Sequence, residues 1–167
     1  MNPFPHTTAT AVLALGSNVG DPLENLREAA ERIHKRFGAC AFANVYKTPP
    51  QFYTEQPDFL NTAVAFGCAL APLDLLEFCK DTEFEMGRRP AFRNAPRPID
   101  LDILFLGSQT VSTELLTIPH IGWRSRAFVI TPLLDLRDAG VFDSPDFDAV
   151  REFLAGKTRS FEIFAQI

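Results

Sequence analysis

Two aspartates interrupt an apolar stretch in the second half of the chain, where residues 96–107 read PRPIDLDILFLG. The stretch resembles a buried β-strand, although Asp is depleted in strands and an unpaired buried carboxylate is costly. Because side chains alternate across a strand, Asp100 and Asp102 point to the same face, about 7 Å apart. Two carboxylates at this spacing can hold a hard cation, and Mg²⁺ typically combines one or two carboxylates with substrate phosphates. A solvated strand face is the alternative.

Arginines concentrate around the same segment. The chain has twelve Arg and four Lys, and six arginines lie between positions 88 and 126, a window with no Lys and three acidic residues. A guanidinium is a planar fork of donors that matches phosphate oxygens. Solvated charges or salt bridges are alternatives, but four arginines from Arg88 to Arg97 leave positive charge beyond what two aspartates neutralise. The pattern therefore favours a magnesium–nucleotide site and phosphoryl transfer.

Other residues could complete such a site. His120 could contact a phosphate or assist a proton transfer, although a lone His in a loop is often structural. Residues 16–18 (GSN) lie between a predicted strand and a helix N-terminus, a place that binds anions, but they lack the Gly-Lys-Ser/Thr of a P-loop. Phe59, Asn61 and Phe128 would suit a flat heterocycle, stacked and hydrogen-bonded, with core packing as the alternative for each Phe.

The elements that must position these residues follow from hydrophobic periodicity and turn residues. Asp21, Pro22 and Glu24 predict the start of a helix of about 16 residues that ends at Gly38. The other predicted elements are strands at 10–15, 40–47, 59–68 and 99–107 and a helix from Pro72 to about Met86. Long loops at 48–58 and 88–98 are of the kind that often carries function. The order predicts an α+β, ferredoxin-like βαββαβ sandwich with a mainly antiparallel sheet and both helices on one face.

The C-terminal third adds elements to this core. The predictions are a hairpin partner for the fourth strand at 110–112, a short helix or two turns at 126–136, an amphipathic stretch at 146–154 and an edge strand at 160–164. A length of 167 residues suits a single domain spanning residues 1–167.

Composition excludes several classes of protein. Apolar residues make up 46% and charged residues 22%, as in ordinary globular domains, and the net charge of −5 argues against a nucleic-acid partner. The three Cys are too few and too widely spaced for a disulfide framework, so we expect buried free thiols. No segment reads as a signal peptide or membrane span, which predicts a cytoplasmic location and no membrane contact. Protein partners are not indicated.

Four blocks in order carry a resemblance to a known family. The first is LALGSNVGDPLENL at 13–26, and the second is YKTPP followed by QPDFLNTAV within 46–64. The third is Glu83 followed by GR and then PRPIDLDILF, within 83–105. The fourth is IPH followed by RAFVITPL, within 118–133. Through these blocks the chain resembles the 6-hydroxymethyl-7,8-dihydropterin pyrophosphokinases of folate biosynthesis. The resemblance implies the ferredoxin-like fold and a diphosphokinase that transfers the β,γ-diphosphoryl group of ATP to the hydroxymethyl oxygen of the reduced pterin and releases AMP.

The resemblance also implies roles residue by residue. Asp100 and Asp102 would ligate two Mg²⁺ ions on the ATP phosphates, and Arg88 and Arg97 would neutralise these phosphates, so that the four form the catalytic set. The residues implied to bind ATP are Glu83, Arg88, Arg97, His120 and Arg126. The residues implied to bind the pterin are Thr48, Gln51, Phe59, Asn61 and Phe128. The two long loops would close over both substrates.

One loop departs from the family pattern. The family usually has Arg-Trp-Gly-Pro-Arg before the aspartates, whereas this chain has RNAPR at 93–97 and a loop one residue shorter. Two other functions fit the residues themselves: a magnesium-dependent nucleotide hydrolase or kinase on the same scaffold, and a non-catalytic ferredoxin-like interaction domain.

Overall fold

The computed structural model describes residues 8–167; residues 1–7, which the predicted single domain of residues 1–167 includes, lie outside the described residues. The strands are β1 (Ala9–Ser17), β2 (Cys40–Phe42), β3 (Val45–Thr48), β4 (Phe59–Cys68), β5 (Asp100–Leu106), β6 (Val111–Ser112), β7 (Thr117–Ile118) and β8 (Ile163–Ala165). The helices are α1 (Pro22–Phe37), α2 (Pro72–Glu85), α3 (Ala127–Asp138) and α4 (Asp148–Ala155), with a 3₁₀ turn at Pro145–Phe147 before α4.

The main sheet is antiparallel, with its strands in the order β5-β1-β4-β3-β8 and with β2 also paired to β4. β1 is therefore central, between β4 and β5. With β2 and β3 counted as one strand, the four strands of the core have the arrangement of a βαββαβ sandwich. The predicted ferredoxin-like α+β fold is confirmed.

The local signals that predicted α1 are present in the structure. Asp21 Oδ1 accepts the backbone N–H of Glu24 at 3.1 Å, and Pro22 occupies the first turn, where a missing N–H is tolerated. Gly38 follows the helix with a φ of 81°, a left-handed conformation that favours glycine. The predicted start and end of the first helix are both confirmed.

A helical layer covers each face of the sheet. α1 and α2 pack together on one face, as predicted, in a core that includes Leu101 and Ile103 of β5. α3 and α4 pack on the other face, in a second core that includes Leu104 and Phe105 of the same strand. Two successive residues can face one side because the register between β1 and β5 shifts beside Val12, which marks a β-bulge. The second layer was not predicted.

The predicted strand at 40–47 is wrong as a single strand. It divides into β2 and β3, both paired to β4, with Ala43 and Asn44 between them. The Ala43 carbonyl accepts the hydroxyl of Thr62 at 3.1 Å, and the Asn44 N–H donates to a carboxylate oxygen of Asp135 at 2.9 Å. Side-chain partners thus serve the Ala43 carbonyl and the Asn44 N–H at the break, while the Ala43 N–H still donates to the Ala63 carbonyl at 2.9 Å.

One prediction in the C-terminal third is wrong, and one pair of alternatives is decided. The segment at 110–112 does not pair with the fourth strand; instead β6 pairs with β7. Of the short helix or two turns predicted at 126–136, the helix is confirmed: α3 has 12 residues, with Pro132 inside it. Proline removes one helical hydrogen bond, but the buried face of α3, which includes Leu133 and Leu134, continues to pack on the sheet and maintains the helix.

The element types predicted for the end of the chain agree with the structure. The amphipathic stretch at 146–154 is the 3₁₀ turn and α4, and the edge strand predicted at 160–164 is β8, which pairs with β3. Cys68 and Cys79 are buried free thiols as expected, whereas Cys40 is only half-buried. Within residues 8–167 no helix is long and apolar enough to cross a membrane.

Asp135 fastens α3 to the sheet. Its Oδ2 accepts hydrogen bonds from the Asn44 N–H, the Asn44 amide and the Tyr46 hydroxyl at 2.7–2.9 Å, and its Oδ1 accepts Arg159 Nε at 2.8 Å. Burial alone would raise the pKa of Asp135, but the bonds from Tyr46, Asn44 and Arg159 outweigh it and hold the pKa below its ordinary value. The carboxylate therefore docks α3 on β3 while it remains charged.

Asp135→Ala is expected to lower the free energy of unfolding by about 2–3 kcal/mol, because it leaves several partly buried donors without an acceptor. Denaturant unfolding measures this loss. A depressed pKa means that the stabilisation is present above the pKa of an unfolded Asp and is lost as the pH falls through the folded pKa. The difference between the two proteins should therefore shrink in acid.

Asp138→Ala is the matched control. Asp138 also pairs with Arg159, at 2.6 Å, but its side chain is 47% exposed, so the expected loss is below about 1 kcal/mol. Equal losses for the two variants would contradict the docking role of Asp135.

Candidate active site

A cleft of about 700 Å³ opens on the α3 face of the sheet, where β1 ends and β5 begins. All twelve of the predicted site residues line it: Thr48, Gln51, Phe59, Asn61, Glu83, Arg88, Arg97, Asp100, Asp102, His120, Arg126 and Phe128. The fold thus gathers residues from widely separated parts of the chain into one cavity. The individual roles implied by the resemblance stay predictions.

The cleft exists because the α3–α4 layer covers only part of β5. Phe105 lies under this layer, with its ring centroid 5.0 Å from that of Trp123 and 6.1 Å from those of Phe142 and Phe147. Nearer the start of β5, the same face carries Asp100 and Asp102 into the cleft. The strand therefore changes from apolar to charged where the helical cover stops.

Asp100 is the centre of an ion cluster. Arg88 Nη1 lies 2.5 Å from its Oδ1 and Arg97 Nη2 lies 2.8 Å from its Oδ2, and the Asp100 side chain is 17% exposed. Burial alone would raise the pKa of Asp100, but the charges of Arg97 and Arg88 outweigh burial and hold the pKa below its ordinary value. The cluster ties the arginine loop at 88–98 to the first residue of β5.

Glu83 supports this cluster from α2. Its side chain is buried. Its Oε1 accepts the Leu101 N–H at 2.8 Å and lies 2.8 Å from Arg88 Nη1 in an ion pair, while Lys80 Nζ lies 2.9 Å from Oε2. β5 is an edge strand, so Glu83 supplies the acceptor that a neighbouring strand would otherwise provide. Glu83 lines the cleft, but its described bonds are to the protein, and they orient Arg88.

Among residues 8–167 no arginine forms an ion pair with Asp102. Its carboxyl faces His120, whose Nε2 lies 4.0 Å from Asp102 Oδ2, and is 37% exposed. Burial, together with the neighbouring charge of Asp100, raises the pKa of Asp102 to about 6. The two carboxyls on this strand face thus lie in environments that shift their pKa values in opposite directions.

His120 is oriented by the turn that follows it. Its Nδ1 accepts the Gly122 N–H at 3.0 Å, so the neutral imidazole carries its proton on Nε2, which faces Asp102. Burial and the charge of Arg126 both lower the pKa of His120, which favours this neutral form. Gly122 also makes room for Arg126, because a Cβ at residue 122 would lie 2.5 Å from Arg126 Nε.

The other end of the cleft is less charged. Asn61 is 7% exposed, and its Nδ2 donates to the Thr48 hydroxyl at 2.7 Å. Gly16 faces Asn61 across the β1–β4 ladder, and a Cβ on Gly16 would lie only 2.7 Å from Asn61 Oδ1. The glycine of the GSN segment therefore makes space for an amide, and nothing in its geometry points to an anion site.

Aromatic rings and guanidinium groups alternate along this end. The Arg97 guanidinium lies 5.2 Å from the Phe59 ring centroid, and the Arg126 guanidinium lies 5.9 Å from that of Phe128 and 5.8 Å from that of Phe52. Such pairs present flat apolar faces close to positive charge. The arrangement suits a ligand that is planar at one end and anionic at the other.

Two loops roof the cleft and touch each other. Residues 49–58 join β3 to β4, and residues 88–98 precede β5. The ring of Tyr53 meets that of Phe92 edge-on at 5.3 Å, and Gln56 Nε2 donates to the Asn94 carbonyl at 3.1 Å. A smaller cleft of about 250 Å³ shares Lys80, Asp102 and His120 with the first.

The donor set fits Mg²⁺ as a partner of a phosphate ligand. In the part of the chain that the structure describes, no group of three or more His, Cys, Asp or Glu side chains is placed to hold a metal alone. Asp100 and Asp102 nevertheless offer carboxylate oxygens on one face, beside arginines. Mg²⁺ needs only one or two carboxylates when water and phosphate oxygens complete its six ligands.

Sequence reasoning missed the roles of several residues that build the site. Gly16 and Gly122 act through the space they leave, and Lys80 through its ion pair with Glu83. For Lys80 a signal was available, because positions 80 and 83 share a helix face and carry opposite charges. For the glycines the signal lies in tertiary contacts, which a single sequence does not reveal.

The fold and the cleft together define a ferredoxin-like α+β domain whose cleft is charged at one end and lined by aromatic rings and a buried amide at the other. Comparison with known proteins makes the assignment specific. The family model described as 7,8-dihydro-6-hydroxymethylpterin-pyrophosphokinase (HPPK) matches residues 12–138. The chain belongs to this family.

Curated relatives agree. A 2-amino-4-hydroxy-6-hydroxymethyldihydropteridine pyrophosphokinase of Methylorubrum extorquens is 41% identical over 147 residues, which cover 87% of this chain and 91% of the relative. The Bacillus subtilis protein of the same name is 38% identical over 128 residues, covering 75% of this chain and 77% of the relative. An Arabidopsis thaliana protein, "Folate synthesis bifunctional protein, mitochondrial", is 44% identical over 81% of this chain, which spans only 24% of that relative's length.

Solved structures support the fold. A crystal structure of an HPPK-DHPS in complex with substrates matches 89% of this chain and 43% of its own, with a TM-score of 0.66 at 16% identity. A Plasmodium falciparum HPPK-DHPS matches 89% of this chain and 45% of its own, with a TM-score of 0.68 at 16% identity. At this identity the likeness concerns the fold.

Gly16→Ala is expected to displace the Asn61 side chain, because the added methyl group would overlap Asn61 Oδ1. Affinity for a ligand that hydrogen-bonds Asn61 should fall about tenfold, the effect of losing roughly 1.4 kcal/mol, while nucleotide affinity should change little. Calorimetric titration of each ligand measures both. Gly156→Ala is the control, since a Cβ at residue 156 meets nothing within 4 Å; equal losses for both ligands would contradict the prediction.

Asp100→Asn and Asp102→Asn are expected to change the stability of the metal-free protein in opposite directions at pH 8. Asp102 has a raised pKa, so its ionised form destabilises the fold as pH rises through about 6, and Asn should raise the unfolding free energy by about 1 kcal/mol after allowance for solvent screening. Asn at position 100 leaves Arg97 without the carboxylate that it pairs with and leaves Arg88 paired with Glu83 alone, so it should lower the unfolding free energy. Thermal unfolding with a chelator present tests this; shifts of the same sign would contradict it.

Proposed function

We propose that this chain transfers the β,γ-diphosphoryl group of ATP to the hydroxymethyl oxygen of 6-hydroxymethyl-7,8-dihydropterin and releases AMP. One observation carries the proposal: a single cleft has a carboxylate–arginine cluster at one end and a buried amide with aromatic rings at the other. These are the two chemistries that a nucleoside triphosphate and a pterin require. Membership of the family supports the same reaction.

The arginines would bind the triphosphate. Arg88 and Arg97 already meet across Asp100, and Arg126 extends positive charge along the cleft. Arg97 Nε is buried without a hydrogen-bond partner among the described residues, an unfavourable state that an anionic oxygen would relieve. His120 presents Nε2–H on the same side, so in its neutral form it would act as a hydrogen-bond donor and not as a base.

Asp100 and Asp102 would hold Mg²⁺ against the phosphates, with two ions as the expected number. Bound there, the metal would neutralise charge on the β- and γ-phosphoryl oxygens. The protein's own part is to keep both carboxyls on one face of β5 and to keep Asp100 ionised through its arginines. The raised pKa of Asp102 indicates a carboxyl whose charge is poorly compensated by the protein and is free to serve a cation.

The smaller cleft would receive the nucleoside. It adjoins the carboxylates, and Leu101, Ile103 and Leu116 contribute apolar wall. Leu115 and Ile121 are 77% and 86% exposed at its edge, which is unusual for large apolar side chains that have no ligand. A base that covered them would leave its triphosphate directed at Asp102 and His120.

The pterin would occupy the opposite end. Asn61 can offer both donor and acceptor groups to the edge of the heterocycle, Thr48 orients the amide, and Phe59 and Phe128 provide flat surfaces. Gln51 lies on the loop above. This placement directs the hydroxymethyl group towards the phosphate end of the same cleft.

The reaction then needs alignment more than acid–base chemistry. The hydroxymethyl oxygen attacks the β-phosphorus, the bond between that phosphorus and the α,β-bridging oxygen breaks, AMP leaves and the hydroxyl proton is released. Arg88 and Arg97 stabilise the charge that develops on the transferred group, and the cleft holds the reacting atoms in line. A cytoplasmic location stays a prediction, since two relatives are described as mitochondrial.

Incubation of the protein with Mg-ATP is expected to yield AMP only when the reduced pterin is present, and nucleotide chromatography measures it. Asp102→Ala should lower the turnover number at least about a hundredfold without loss of the fold, because it removes a group that acts on the developing phosphate charge. Asn61→Ala should act mainly on the KM for the pterin.

Asp138→Ala, remote from the cleft, is the control for general damage. ADP and phosphate as products, with or without the pterin, would favour a hydrolase or simple kinase. No binding of Mg-ATP, and no effect of Asp102→Ala on any ligand, would favour a non-catalytic interaction domain.

A further inference from the structure

Asn18 is a buried amide just outside the cleft. It is 3% exposed and follows the last residue of β1. Its Oδ1 accepts the Arg97 N–H at 2.9 Å, and its own N–H donates to the Arg97 carbonyl at 3.1 Å. Its Nδ2 donates to Gln56 Oε1 at 2.9 Å and to the Pro57 carbonyl at 3.0 Å. One side chain therefore binds both loops that roof the cleft.

Gln56 continues this connection. Its Nε2 donates to the Tyr53 carbonyl at 2.6 Å, within its own loop, and to the Asn94 carbonyl at 3.1 Å, in the arginine loop. Asn94 has a φ of 62°, which is uncommon for a residue with a side chain, so the backbone there needs support from its surroundings. The Gln56 bond supplies part of that support.

These bonds connect to the ion cluster around Asp100. Arg97 reaches Asp100 with its guanidinium, and Asn18 binds both backbone polar groups of Arg97. The same amide, through Gln56 and Pro57, fixes the loop whose following residues, Phe59 and Asn61, line the other end of the cleft. Loop positions at the two ends are thus linked by a few hydrogen bonds.

We infer that Asn18 and Gln56 act together as an amide relay, meaning a pair of hydrogen-bonded amides that positions the arginine loop (88–98) relative to the loop at 49–58. The relay thereby fixes how the two substrates are placed relative to each other. The inference rests on the proposed function. Asn18 is not among the residues that line the cleft; Gln56 does line it, but its described hydrogen bonds are to Asn18 and to the two loops. Asn18 and Gln56 are positioning residues, and the contribution of each is expected to appear in turnover more than in substrate affinity.

Tryptic cleavage tests the relay without any assay of activity. Within residues 88–98 the bonds after Arg88 and Arg93 are open to trypsin, because Arg89 and Arg97 precede proline. Gln56→Ala, at a half-buried position that should not endanger folding, is expected to raise the rate of cleavage after Arg93 about tenfold, because fewer bonds oppose local opening. Asn18→Asp keeps the acceptor for the Arg97 N–H but loses both donors, and should behave similarly.

Kinetics and additivity separate positioning from general stability. Gln56→Ala and Asn18→Asp should each lower kcat about tenfold with smaller changes in KM, and the double variant should lose little more than either one, since both changes break the same link. Asn44→Ala is the control: it removes an amide that bonds to Asp135 away from the cleft and should change thermal stability without changing kcat or cleavage.

Three results would overturn the relay: unchanged cleavage after Arg93, a loss of kcat no larger than that of Asn44→Ala, or full additivity in the double variant. Absence of pterin-dependent AMP from the wild type would refute the proposed function alone. The cleavage rates and their additivity would still decide whether Asn18 and Gln56 couple the two loops.

Discussion

The rest of the site depends on the ion pairs around Asp100. A carboxylate at the start of an edge strand, 17% exposed, is tolerated because Arg88 and Arg97 approach its two oxygens, and Glu83 in turn holds Arg88 while it closes the strand edge. One interaction thus joins α2, the arginine loop and β5. Without it the loop would lose its anchor, and the guanidinium groups would lose the position from which they can reach an anionic ligand.

The cleft exists because α3 and α4 cover only part of β5. The β-bulge in β5 allows Leu104 and Phe105 to enter the second core together, so that the strand is apolar beneath α3 and α4 and charged beyond them. Asp135 keeps α3 docked on β3, on the same face of the sheet, and the segment before α3 carries Arg126 to the open end. One part of this sheet face is therefore packed beneath the helices and stabilises the fold, and the uncovered part of the same face lines the cleft.

The sequence was sufficient where the controlling interactions are local. The cap at Asp21, the glycine at 38 and the alternation around Asp100 each act within a few residues, and the elements and carboxylate placement derived from them agree with the structure. It was insufficient where partners are distant. The break at Asn44 depends on Asp135, the space at Gly16 depends on Asn61, and the link from Asn18 to Gln56 spans 38 positions. At α3 the sequence left a helix and two turns as alternatives, because the packing that maintains the helix despite Pro132 is tertiary.

The contrast between Asp100 and Asp102 shows how environment divides the labour of identical side chains. Burial opposes the charge of both, but arginines lower the pKa of the first, while the charge of the first helps to raise the pKa of the second to about 6. Arg88 and Arg97 make their ion pairs with Asp100, which keeps the cluster intact, whereas the charge of Asp102 is compensated less by the protein. A carboxylate in that state is what the proposed metal-assisted phosphoryl transfer would need beside the phosphates.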